Sequence, residues 1–134
     1  MCNPLKDTLH FVIPVAPVTK KNHSRIVTPK GGRNPILIPS EQYRRFEREC
    51  GWHMKHKWQT IDTPINIKAH FYIDADRKSD LCNYMQALAD MLVHYGVIAD
   101  DNRKIVQSWD GTRVFVDRAN PRIEVWLQAV EEVE

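Results

Sequence analysis

Across residues 64–73 apolar and polar side chains alternate without a break. Ile65, Ile67, Ala69, Phe71 and Ile73 fall on one parity, and Asn66, Lys68, His70 and Tyr72 on the other. A period of two puts each set on its own face of a β-strand. The period changes over residues 80–95, where Leu81, Met85, Leu88, Leu92 and Tyr95 are spaced by 4, 3, 4 and 3. That spacing is the apolar stripe of an amphipathic helix, and Gly96 supplies its C-cap. A second helix is predicted from Ser40, a suitable N-cap, to about residue 58, with Tyr43, Phe46, Cys50 and Met54 facing the core. The remaining strands are shorter. Residues 8–15 form one, ended by Pro14 and Pro17. Residues 36–38 form a second, and residues 104–116 are mostly extended with a turn at Asp110-Gly111. Residues 122–130 form a last strand after the Asn120-Pro121 turn, and residues 131–134 are expected to fray.

Residues 17–35 interrupt this order with three prolines and two glycines, a composition that predicts a loop, mobile when no partner is bound. The order β, loop, α, β, α, β, β predicts an α/β (α+β) domain, a mixed sheet packed by two main helices. With 134 residues the chain is expected to be a single domain spanning 1–134, and no internal repeat is visible. A hydrophobic fraction of 43% excludes a disordered chain.

Net charge adds little, because 19 Lys and Arg against 17 Asp and Glu leave only +2. Its distribution adds more. Residues 20–33 carry Lys20, Lys21, Arg25, Lys30 and Arg33 with no acid, whereas residues 74–101 carry Asp74, Asp76, Asp80, Asp90, Asp100 and Asp101. A basic arm beside an acidic centre suits a protein that grips phosphates and holds a divalent cation, although ordinary surface clustering produces the same pattern. Three cysteines without paired spacing argue against a disulfide framework and for a reducing, cytoplasmic setting. No apolar run reaches the length of a membrane span, and the first residues lack a signal-peptide pattern. A soluble protein without a membrane partner is therefore expected.

The candidate chemistry lies between Asp80 and Asp101. Asn83 falls one helical turn after Asp80 on the same side. The helix between the two aspartates is about 24 Å long at the standard rise, so they meet only if the chain folds back after Gly96. Two carboxylates brought together repel, and a Mg²⁺ ion, which prefers carboxylate oxygens and waters, relieves the conflict. The plainer alternative makes Asp80 an N-cap and residues 100–102 a polar turn. Cys50, His53 and His56 recur every three residues but match no zinc pattern. Gly31-Gly32 lacks the strand and helix of a phosphate loop. His70 falls on the polar parity of its strand, and Trp52, Trp58, Trp109 and Trp126 are expected in the core or at an interface.

The run Asp80-Leu81-Cys82-Asn83, followed by an apolar helix, Gly96 and the pair Asp100-Asp101, resembles the RusA family of Holliday junction resolvases. Ile13-Pro14, Pro17 and Thr19-Lys20-Lys21-Asn22 are similar to the family's opening motif, and Arg122-Ile123-Glu124-Val125 to its end. The resemblance covers residues 9–129. It implies a homodimer that cuts four-way DNA junctions symmetrically in a reaction dependent on Mg²⁺, with Mn²⁺ as the alternative. It places metal-site aspartates on Asp80 and Asp101, with Asp74, Asp76 and Asp100 as neighbouring carboxylates, and an active-site asparagine on Asn83. Lys20, Lys21, Asn22, Arg25 and Arg33 are then the DNA contacts. The chain departs from the pattern twice: Cys82 stands where the family has an aspartate, and Gln86 where it has a lysine. Lys78 or Lys104 is the stand-in for that missing charge. The departures motivate an alternative, a catalytically weakened branched-DNA-binding protein of the same fold, and a third reading is an adaptor without nucleic-acid function.

Overall fold

The computed structural model describes residues 8–19, 24–27 and 36–131. Along the chain run β1 (Thr8–Ile13), β2 (Ser24–Val27), β3 (Ile36–Pro39), α1 (Glu41–Trp52), β4 (Ile65–Ile73), α2 (Leu81–His94), β5 (Val106–Ser108), β6 (Arg113–Val116) and β7 (Arg122–Ala129). Five of the strands form one mixed sheet in the order β1-β7-β4-β5, with β6 also on β4. β4 lies antiparallel to β7 from Ile65↔Ala129 to Tyr72↔Arg122, and β7 lies antiparallel to β1. On its other edge β4 pairs in parallel first with β5 and then with β6, so the two short strands lie end to end along it. The turn between them passes Gly111 at φ 86°, in the left-handed region glycine tolerates best.

Strand β4 behaves as its period requires. Ile65, Ile67, Ala69, Phe71 and Ile73 are 0–2% exposed, while Lys68, His70 and Tyr72 on the other parity are half-buried. Both helices pack on the apolar parity. Phe71 meets Tyr84 of α2 at 5.5 Å between rings, and Tyr43, Phe46 and Cys50 of α1 join the same core cluster. The helices touch where Tyr95 lies directly over Gly51: a Cβ there would collide with the Tyr95 ring. The Tyr95 hydroxyl donates to the Glu47 carbonyl at 3.0 Å.

The element order, mixed sheet and two main helices match the α+β expectation, with three differences of detail. Helix α1 starts as expected, with the Ser40 side chain accepting from the Tyr43 amide, but it ends at Trp52, well before residue 58. Residues 53–58 wind into turns in which His56 takes φ 59°, a conformation that a right-handed helix excludes. Met54 still reaches the core at 1% exposure, whereas Trp52 is 77% exposed, so the core expectation fails for that tryptophan. Residues 17–35 are not loop throughout: Ser24–Val27 is a strand paired antiparallel with Ile36–Pro39. That pairing joins segments separated by the Pro- and Gly-containing stretch, which local pattern does not reveal. The first strand stops at Ile13, ahead of Pro14, because proline has no N–H for the ladder.

Candidate active site

Asp80 occupies the N-cap position of α2 in extended conformation (φ −89°, ψ 125°), yet its side chain makes no cap hydrogen bond. One carboxylate oxygen instead accepts from the Asn83 side-chain amide at 3.4 Å, while the Asp80 carbonyl accepts the Asn83 backbone N–H at 3.0 Å. The helix start is thus set by backbone, and the exposed carboxylate is left for other work. The spacing that puts Asn83 one turn along α2 brings it to Asp80, as the sequence predicts.

The far end of α2 reverses the chain. Gly96 adopts φ 74°, and the amides of Val97 and Ile98 both donate to the Leu92 carbonyl. The next residues are pinned to the segment before β4: Ile61 N–H donates to Val97 O at 3.0 Å and Ala99 N–H to Ile61 O at 2.8 Å. Asp100 then folds a tight turn. One of its carboxylate oxygens accepts the Asp101 amide at 2.7 Å and the other the Asn102 side-chain amide at 3.0 Å. Asn102 in turn accepts the Lys104 amide at 2.9 Å. The Asp101 N–H and then the Asn102 amide hold the Asp100 carboxyl below the usual carboxylate range. Both oxygens of Asp100 are therefore engaged within the turn.

The turn carries Asp101 back against α2. Asp101 lines a cleft of about 300 Å³ together with Cys82, Met85, Gln86 and Ala89 of α2 and Val106 and Trp109 beside the sheet edge. The chain does fold back after Gly96, and it brings Asp101 beside Cys82 and Gln86. Asp80 is not part of that cleft lining and stands two residues before Cys82 at the helix start. Gln86 donates to Asp90 at 3.1 Å and carries no charge. Lys78 lies in a neighbouring groove with Arg77, Ser79, Tyr84 and the Pro17-Val18-Thr19 stretch that leads into the basic arm. Lys20, Lys21, Asn22 and Arg33 fall outside the described residues, and for Arg25 the backbone alone is described, opposite Ile38 in the β2–β3 hairpin. A larger hollow of about 410 Å³, lined by Lys55, His56, Trp58 and His94 near the helix C-termini, has no carboxylate in its lining, whereas the Asp101 cleft has one.

Met85, Ala89, Val106 and Trp109 also build that cleft, and sequence assigned none of them to a site. Met85 reads as stripe, and the fold shows that, half-buried against the core, it also lines the opening. The donor set suits a hard, well-hydrated cation. Asp80 and Asp101 are exposed, neither is ion-paired with a described cation, and Mg²⁺ takes one or two protein carboxylates while keeping several waters. Among the described residues no three His, Cys, Asp or Glu side chains form a ready metal cage. Cys82, a soft donor, adds little affinity for such an ion.

Two comparisons with known proteins bear on the chain as a whole. The family profile described as endodeoxyribonuclease RusA matches residues 14–128. The crossover junction endodeoxyribonuclease RusA of Aquifex aeolicus (strain VF5) is 26% identical over 98 residues, which cover 72% of this chain and 74% of that relative.

Proposed function

This chain belongs to the RusA family of endodeoxyribonucleases, and on that premise we propose that it resolves four-way DNA junctions by divalent-cation-dependent hydrolysis of the phosphodiester backbone. The observation that carries the proposal is the presentation of Asp101 by the Asp100 turn into the cleft against α2, beside the helix start that bears Asp80. Asp80 and Asp101 would hold Mg²⁺, or Mn²⁺ in its place, with Asp100 adjacent but committed to its turn. When bound, the cation supplies activation of water and neutralisation of charge at the phosphate.

The chain's own residues position the rest. Asn83 orients the Asp80 carboxylate. Asp100 fixes the backbone on which Asp101 stands. Lys78 shares a groove with Arg77, which is paired with Asp74 at 3.0 Å, and would offer a DNA strand a cation close to Asp80 in sequence. Lys20, Lys21, Asn22, Arg25 and Arg33 would bind phosphates and make affinity fall with salt. A homodimer supplies two such sites for two symmetric cuts. No described helix is long and apolar enough to cross a membrane, and the proposal places the protein in the cytoplasm with branched DNA as its partner.

A second reading is favoured by a specific observation. Cys82 stands in the Asp101 cleft where the resemblance puts an aspartate, and Gln86 offers no charge. A chain so altered binds junctions and cuts them weakly.

The test is cleavage of an end-labelled four-way junction by the full chain in Mg²⁺ and in Mn²⁺, with Asp101→Asn and Cys82→Asp alongside. Paired cuts that vanish in Asp101→Asn establish the resolvase. A rise of roughly tenfold or more in Cys82→Asp, about 1.4 kcal/mol of barrier, identifies the native site as weakened. Salt-sensitive junction binding with no cuts from any of the proteins overturns the catalytic reading.

A further inference from the structure

The hollow of about 410 Å³ lies at the end of α2 away from Asp80. The 14 residues of that helix put about 20 Å between the two. A hollow of this size falls within the roughly 300–1,000 Å³ usual for small-ligand sites. The more buried part of its lining is aromatic. Trp58 and Tyr95 are half-buried against the core. Phe11 packs on Trp58 at 4.7 Å between rings, and the hydroxyl bond to Glu47 O holds the Tyr95 ring over Gly51. Thr60 Oγ1 donates to Gly96 O at 2.7 Å and fixes one wall. The exposed part of the lining is basic, with Lys55, His56 and His94. Among the described residues Lys55 has no carboxylate partner, and the two imidazoles and the Trp58 indole N–H make no hydrogen bond. His56 stands at φ 59°, where a glycine would fit with less strain, yet the chain carries a ring there.

We propose that this hollow is a binding site for a nucleotide, with the base against Trp58 and the phosphate among Lys55, His56 and His94. Three observations select that chemistry. The lining holds three basic side chains and no acid, so the ligand is an anion. A flat, half-buried indole with a free N–H suits a planar heterocycle. Bare phosphate would leave the indole unused, and an uncharged ring would leave the basic groups unused. Helix C-termini attract Lys and His without any ligand, which accounts for Lys55 and His94 taken singly. It does not account for an imidazole on the left-handed backbone of His56. Nor do the helix ends repel an anion in full, because following amides already occupy the carbonyls of Gly51, Met91, Leu92 and Val93. The same chemistry is offered by a free nucleotide and by an unpaired nucleotide within a DNA strand. The site is separate from the Asp101 cleft and needs no divalent cation.

The test is an NMR titration of the isotope-labelled full chain in EDTA with dAMP, deoxyadenosine and inorganic phosphate, reading the Trp58 indole N–H and the Gly96 amide. Saturable dAMP binding is expected with a Kd at or below about 1 mM, about tenfold or more tighter than deoxyadenosine or phosphate. Lys55→Ala and His56→Gly should each weaken it by about threefold or more. His56→Gly should melt no lower than the parent, because glycine suits that backbone. A short single-stranded oligodeoxyadenylate then assigns the source. Displacement of dAMP that weakens in the same variants makes the occupant part of a strand, and no displacement makes it a free nucleotide. No saturation up to about 10 mM, phosphate binding as tight as dAMP, or unchanged affinity in both variants overturns the proposal. So do shifts centred on Asp101 and Cys82, which would place the nucleotide in the other cleft. Because no divalent cation is present, failure of junction cleavage counts against the nuclease reading alone.

Discussion

Asn66 and Asp101 show two opposite uses of a polar side chain in one small domain. Asn66 sits in β4 at 6% exposure with every bonding direction filled. Its amide donates to the Gln128 side chain at 2.7 Å and to Asp110 O at 3.1 Å, and its oxygen accepts from Ser108 Oγ at 2.6 Å and from Asp110 N–H at 2.7 Å. It ties three parts of the sheet together: β4, β7 and the β5–β6 turn. Asp101 is exposed at the mouth of a cleft, has no ion-pair partner among the described residues, and is held in place by the turn of its neighbour. A polar group that holds the fold is saturated inside it, because an unmet buried donor or acceptor costs more than a met one contributes. A group that acts on a ligand has to remain unspent.

Substitutions sharpen the contrast. The largest effect is expected for Asp101→Asn, with junction cleavage lowered on the order of 100-fold or more, since a cation's share of charge stabilisation is worth several kcal/mol. Its melting temperature should match the parent's, and a parallel loss of stability would mean that Asp101 is structural. Asn66→Ala should do the reverse. It strands Ser108, Asp110 and Gln128 and should lower stability by about 2–4 kcal/mol, read by urea denaturation, while junction cleavage well below the melting temperature persists. Activity lost with the fold intact would break the comparison from that side.

Tyr43 supplies a smaller case. Its hydroxyl is buried with no described partner, and burial pushes its pKa well above the usual tyrosine value. Tyr43→Phe removes that unmet group and is expected to raise stability by up to about 1 kcal/mol, measured by thermal melting. The smallest effect concerns the Asp100 turn. Its carboxyl titrates below the ordinary range, so the contribution of the charged form is present above the ordinary carboxylate pKa and lost as pH falls through the lowered value. Amide exchange at Asp101 should quicken, relative to intrinsic rates, only on that acid side, and Asp100→Ala should show the quickened exchange at neutral pH as well.

Much of the frame is legible in the chain because it rests on local periods. The alternation of β4 and the stripe of α2 each follow from side chains within a few residues of one another, and Gly96 marks the end of α2 because a left-handed backbone disfavours a Cβ. Helix α1 shows where this fails. Residues 53–58 keep helical spacing for Met54, yet the chain breaks away into turns and His56 accepts a positive φ. The β2–β3 hairpin was invisible for a related reason, since neither short strand has enough alternation to announce itself without its partner.

The site divides in the same way. Sequence singled out Asp80, Asn83, Asp100 and Asp101 as candidates, through their spacing about one helix together with the family resemblance. Tertiary structure decided their separate duties. Asp80 leaves its cap bond unmade, Asp100 spends both oxygens on a turn, and Asp101 meets Cys82 and Gln86 only because the Ile61–Ile98 bridge draws the chain back along α2. A row of touching rings on the polar face of the sheet belongs wholly to the second category. His10, His70, Phe115 and Trp126 come from four strands, and no local pattern names their neighbours. Periodicity encodes which way a side chain points; register between strands far apart in the chain, settled by burial of the opposite face, encodes what it meets.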